Sequence, residues 1–163
     1  MSENYGKRFE SVIRKAFEKV PNVSIDRLHD QTNGFRGSQN ICDFIVYREP
    51  YEYYFECKSV RRASLPFVNI TDTQWNGLLE KSQIEGVFAG VICWWIDKDR
   101  TAFISIYVLQ YMRENGAKSF PCSLLDTRIT DWEGVVEIKG KKKRVFFDYD
   151  MEEFLNGLGR VSK

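Results

Sequence analysis

Asn40-Ile41-Cys42-Asp43-Phe44-Ile45-Val46-Tyr47, followed after Glu49-Pro50 by Tyr53-Tyr54-Phe55-Glu56-Cys57-Lys58, decides how this chain folds. Both segments are rich in β-branched and aromatic residues, and a turn-forming pair lies between them, so they read as a β-hairpin. With the turn centred on the Glu49–Pro50 bond, Asp43 falls opposite Glu56 and Cys42 opposite Cys57. Side chains alternate along a strand, so Glu56 and Lys58 share a face and Cys57 points the other way. Opposed Cβ atoms lie about 5 Å apart, close enough for two carboxylates to share one ion. A slip of one residue would place Asp43 against Cys57 and dismantle the arrangement.

Two carboxylates at that separation repel, and one holds a proton unless a cation sits between them. An oxygen-only donor set selects Mg²⁺ or Mn²⁺ rather than zinc. Such an ion acidifies a bound water and offsets charge on a phosphoryl oxygen. Lys58 would stand beside that water and phosphate. The competing reading is a solvated Asp/Glu/Lys cluster on an ordinary hairpin, and spacing alone slightly favours it. Against it, Asp43 interrupts a mostly apolar strand, and Glu56-Cys57-Lys58 continues an aromatic run without a turn.

The chain has 163 residues, enough for one domain spanning 1–163 with a substantial core, and its 15% aromatic and 29% charged content is that of a folded globular protein. A formal net charge of +1 announces no bulk attraction to nucleic acid, so any such surface must be local. No signal sequence opens the chain, and the apolar run Val87 to Ile96 is too short to cross a bilayer, so a cytoplasmic location is expected. The cysteines (Cys42, Cys57, Cys93, Cys122) lack CxxC spacing and read as reduced core thiols. With His29 as the single histidine, histidine-dependent nuclease chemistry, multi-histidine zinc sites and Ser-His-Asp catalysis are excluded. In its loop, His29 reads as structural or solvated.

Around the hairpin, a helix is expected from Glu3 to Lys19, with Phe9, Ile13, Ala16 and Phe17 on its apolar stripe. Glu10 sits on the stripe's edge, where periodicity favours a solvated flank over a metal ligand. Asn22 to Leu28 reads as a strand, residues 29–39 and 59–69 as loops, and a helix capped by Thr71 or Asp72 carries Gln74. Val87 to Ile96 and Thr101 to Ile106 form a second hairpin, and Val108 to Glu114 a short helix. Val135–Ile138 and Arg144–Tyr149 are expected to pair across the basic turn 139–143, before a final helix from Met151 to Leu158. The order implies an α/β sandwich around a mixed central sheet.

This order of helix-borne Glu10, Asp43, Glu56-x-Lys58 and helix-borne Gln74 resembles the PD-(D/E)XK nuclease superfamily. It resembles in particular the RecU family of Holliday junction resolvases and its small phage relatives. Gly6-Lys7-Arg8-Phe9-Glu10 is similar to that family's opening Gly-x-x-Phe/Leu-Glu, and Arg27-Leu28-His29-Asp30 to its Arg-x-Pro-Asp. Phe55-Glu56-Cys57-Lys58 is similar to Phe-Glu-Ala-Lys, and Ser64-Leu65-Pro66-Phe67-Val68-Asn69 to Ser-x-Pro-x-x-Asn. The likeness fades after Phe120, and His29 and Cys57 depart from the family's proline and alanine.

The resemblance implies a restriction-endonuclease-like core, Mg²⁺ with Mn²⁺ as substitute, a homodimer, and paired nicks across four-way DNA junctions. It implies Asp43, Glu56, the Cys57 backbone carbonyl and the helix-borne carboxylate Glu10 as metal ligands, Lys58 as the catalytic lysine, and Gln74 as the helix-borne amide that helps position water or metal. Two alternatives stay open: another endonuclease on the same core, acting on duplex or single strands, and a junction-binding module without activity. Arg61, Arg62, Lys7, Arg36, Lys142 and Lys143 are the candidate phosphate contacts. For the lysine run, a solubilising hairpin tip has equal weight. Tyr51, Phe35 and Trp94 are candidates for base stacking, with core packing the default.

Overall fold

The computed structural model describes residues 4–29, 40–127 and 134–160. Arg36 and Phe35 lie outside them. Helix α1 (Tyr5–Glu18) is capped by Asn4, whose side chain accepts from the Lys7 amide. Its expected stripe is buried. Strands β1 (Ser24–Arg27), β2 (Phe44–Arg48) and β3 (Tyr51–Val60) follow. The short strand β4 (Ser64–Pro66) leads to α2 (Asp72–Ser82), and then come β5 (Val87–Trp95), β6 (Arg100–Ser105) and α3 (Ile106–Glu114). The chain ends with β7 (Ser119–Pro121), β8 (Val135–Glu137), β9 (Gly140–Lys142), β10 (Phe147–Tyr149) and α4 (Met151–Arg160).

Six strands form one sheet in the order β1-β2-β3-β5-β6-β8. β3 and β5 run parallel and the other pairs antiparallel, so the sheet is mixed. β3 and β5 occupy its middle, and all nine residues of β5 are buried. This is why Val87 to Trp95 reads as a continuous apolar run and not as an alternation. One face packs on α2 and α3 through Trp75, Leu78 and Leu109, and the other on α1 and α4 through Phe17, Phe55 and Phe154. Phe17 and Phe55 stack at 5.5 Å between centroids, joining α1 to β3. The expected α/β sandwich with a mixed central sheet is the architecture found.

Three expectations change. Residues 59–69 are not a plain loop: β3 continues to Val60, and β4 pairs antiparallel with β7. That pairing joins segments distant in sequence and leaves no local pattern. The expected pair Val135–Ile138 with Arg144–Tyr149 does not form. β8 adds to the edge of the main sheet beside β6, and β9 pairs instead with β10. Lys141 and Lys142 therefore lie in a strand, and the turn falls at 143–146. Burial explains the switch, because Val135 and Ile138 gain core contacts against the large sheet.

Candidate active site

Strand pairing sets the site. The β2–β3 ladder runs Arg48↔Tyr51 through Phe44↔Phe55, the register that places Asp43 against Glu56. At Asp43 the strand kinks. Its amide donates to the Phe55 carbonyl at 3.0 Å, toward β3, while its own carbonyl accepts from Leu28 at 2.8 Å, toward β1. A regular strand residue turns both groups to the same neighbour, so the backbone bends here as at a β-bulge. The bend leaves the Asp43 carboxylate free to accept from the Cys57 amide at 2.9 Å. It also corrects the expected pairing of Cys42 with Cys57. Cys42 packs on the α2 side of the sheet and Cys57 on the α1 side, and all four cysteines are free and buried. Burial pushes the Cys57 and Cys93 thiols well up, as in inert core thiols.

Glu56 is 4% exposed, an unusual position for a carboxylate. Its Oε2 accepts from Lys58 Nζ and from Gln74 Nε2, each at 2.9 Å. It also shares a hydrogen bond with the Asp43 carboxyl. Burial first, and then the adjacent Asp43 charge, raise the Glu56 carboxyl above the ordinary range, with Lys58 opposing. Without a cation between the two acids, Glu56 is the one that keeps the proton and donates it to Asp43.

Gln74 is held from its other end. Thr71 caps α2: its hydroxyl accepts from the Gln74 amide at 3.2 Å, and the Gln74 Oε1 accepts from the Thr71 amide at 3.0 Å. This capping box fixes which end of the side-chain amide faces the site, so the NH₂ points at Glu56. The pattern Thr71-x-x-Gln74 is a sequence signal for that orientation. α2 also approaches the start of β2 closely, because a Cβ on Gly77 would collide with the Ile41 side chain.

Asp43, Glu56, Lys58 and Gln74 are thus brought together as expected. Glu10 stands beside that group, close enough for its charge to act on the Cys57 thiol. It reaches Arg27, whose guanidinium donates at 3.0 Å to Glu10 Oε2, and among the described residues no three acidic, cysteine or histidine side chains form a metal-holding cluster. Arg27 is the site residue that the sequence reading used only as a motif match. Its charge reaches Asp43 and opposes the rise that burial imposes on that carboxyl. The Cys57 carbonyl lies on the same edge of β3 as its amide, beyond the last β2 rung, which suits a backbone ligand beside Asp43.

Of the expected phosphate contacts, Lys7, Arg62 and Lys143 are exposed. Arg61 pairs with Asp97 at 3.2 Å and Lys142 with Asp99 at 2.8 Å. Of the aromatic stacking candidates, Trp94 is 1% exposed and packs in the core, and Tyr51 packs edge-on against Phe88.

The sequence matches no protein-family model and no curated protein. Among solved structures, the chain is similar to Hjc, a Holliday junction resolvase from the archaeal hyperthermophile Archaeoglobus fulgidus. The identity is 16% and the TM-score 0.46, over 72% of this chain and 85% of that one. Among the described residues, no helix is long and apolar enough to cross a membrane.

Proposed function

We propose that this chain is a divalent-metal-dependent DNA endonuclease whose substrate is the four-way junction, cut by paired nicks from a homodimer. The observation that carries the nuclease reading is the Asp43–Glu56 carboxyl pair, with Glu56 buried and Asp43 half-buried, set beside Lys58. Such a pair is costly in a fold and is relieved by a cation. The donor set is oxygen only, which fits Mg²⁺ or Mn²⁺, and Asp43, Glu56 and the Cys57 carbonyl would hold the ion. When bound, the ion supplies an acidified water and charge neutralisation at the phosphate.

The chain's own groups do the positioning. The Cys57 amide fixes Asp43, and Gln74, braced by Thr71, fixes Glu56. Lys58 sets an ammonium against Glu56, where it can orient the attacking water and donate to the phosphoryl oxygen as charge grows there. Water then forms the new P–O bond as the bond to the departing sugar oxygen breaks. Glu10 acts through Arg27, holding a guanidinium within reach of Asp43 and the incoming backbone.

Junction selectivity and dimerisation rest on the RecU-like segments that flank the site. The test is a labelled four-way junction incubated with Mg²⁺ beside linear duplex of the same sequence. Symmetric nicks confined to the junction are expected. Equal cutting of the duplex would replace junction resolution with general endonuclease activity, and binding without cleavage in either metal would make the protein a junction-binding module.

A further inference from the structure

We infer that the first turn of α1, the end of β3 and the turn between β9 and β10 form one phosphate-contact surface for a duplex arm of DNA flanking the cleaved site. The inference rests on the nucleic-acid reading above and adds which surface carries the arm. Three segments far apart in sequence meet here. Tyr5, Trp94 and Phe146 form an aromatic group, with centroids 6.1 Å apart for Tyr5–Trp94 and Tyr5–Phe146 and 5.1 Å for Trp94–Phe146. Two guanidinium groups lie over it, Arg61 above Tyr5 at 4.9 Å and Arg8 above Phe146 at 4.6 Å. Lys7 precedes Arg8, and the Lys143 amide donates to the Phe146 carbonyl at 2.9 Å, so an exposed lysine belongs to each of the two segments that meet here.

The β9–β10 turn is thereby tied to α1, so its lysines are more than a solubilising tip. A guanidinium stacked on a ring keeps its N–H edges outward, and that mounting restricts it for contact with an anion. The stacking also selects the ligand. Each guanidinium caps a ring face and Trp94 beneath is 1% exposed, so the surface offers cationic edges and not bare rings. Cationic edges suit the phosphates of a duplex, whereas unpaired bases need open rings. Acids border the patch: Asp97 meets Arg61, and Asp99 takes up Lys142. Arg8, mounted on Phe146, and Lys143, in the turn that carries that ring, are the probes that report on the joined segments.

Position agrees with the role. Trp94 pairs in register with Ser59, the residue after Lys58, so the patch lies at the same end of the sheet as the site, on the α1 face, whereas Glu56 and Lys58 look toward α2. Arg61 follows Lys58 by three residues, about 10 Å of extended chain.

The experiment is a salt titration of binding in EDTA, using linear duplex, a four-way junction and single-stranded DNA as probes. It compares the unaltered protein with R8Q/K143Q, the charge-keeping R8K/K143R, and K81Q, which alters a lysine over Tyr54 near the far end of β3. The R8Q/K143Q slope of log affinity against log salt should fall by about 2 on duplex and junction, with roughly tenfold weaker binding. R8K/K143R and K81Q should keep the slope. An unchanged slope in R8Q/K143Q overturns the inference, as does an equal loss in R8K/K143R or a loss confined to the single strand. Because EDTA removes cleavage from the measurement, a normal slope change in a protein that never cuts junctions would uphold this surface while sinking the nuclease reading.

Discussion

Gln74 donates to Glu56 at 2.9 Å through an amide whose other end is fixed by the backbone of Thr71. One side chain therefore closes a helix cap and braces a buried acid. Substitution can separate the two roles. Gln74→Ala loses both, and α2 should lose less than about 1 kcal/mol, because the Thr71 hydroxyl still caps the residue-74 backbone amide and only the reciprocal bond goes. Gln74→Glu preserves the capping pattern but sets a third carboxylate against Glu56. Cleavage should drop in both variants, roughly tenfold or more, while only the alanine variant loses cap stability in the absence of metal at acidic pH. Full activity in Gln74→Glu would show that the amide contact with Glu56 is dispensable.

Asp43→Asn and Glu56→Gln should each lower the single-turnover cleavage rate by at least about 10³-fold, because each removes a charge that stabilises the transition state through the ion. Junction affinity in EDTA should stay within a few-fold of the unaltered protein, since phosphate contacts dominate affinity. A variant that cuts at the normal rate would end the assignment of that residue to the metal.

Metal-free stability should depend on pH with a definite sign. The folded Glu56 carboxyl titrates above its ordinary value of 4.5, chiefly because it is buried. The folded state then binds that proton more tightly than the unfolded state does. The resulting stabilisation is fully present below the ordinary value and is lost as pH rises toward the raised one. Melting temperature in EDTA should decline across that window, Glu56→Gln should flatten the decline, and Mg²⁺ should restore stability on the alkaline side. A flat profile for the unaltered protein would contradict the buried-acid description.

Glu10 and Arg27 distinguish direct ligation from indirect positioning. If Glu10 acts through Arg27, Glu10→Gln and Arg27→Ala should slow cleavage by similar, moderate factors, on the order of tenfold, and the double variant should be little worse than either. The pair is partly exposed, so stability should change by less than about 1 kcal/mol. A loss in Glu10→Gln as deep as that in Asp43→Asn would instead make Glu10 a metal ligand.

Much of the centre was legible in the chain. Alternation on either side of Glu49-Pro50 has one register that buries Phe44, Val46, Tyr53 and Phe55 together, and that register places Asp43 by Glu56. The kink at Asp43 has no signature, because neither a glycine nor a proline marks it. Glu10–Arg27 joins two elements 17 residues apart through long side chains, and periodicity reports only which face a residue occupies. The β8–β9–β10 exchange was hidden for another reason. Val135 has two apolar surfaces competing for it, and only the assembled sheet decides between them.

Glu56 sits on a strand flanked on both sides and covered by helices on both faces, so the proposed metal site is set in the buried middle of the sheet. The groups suited to choosing a substrate, among them Lys7, Arg8, Arg61 and Lys143, come from helix starts, strand ends and turns at the periphery. On the proposed reading, chemistry and target choice are therefore separable in heredity as well as in space. Exchanging a peripheral turn can redirect such an enzyme to a different DNA shape while its hydrolytic apparatus is inherited intact.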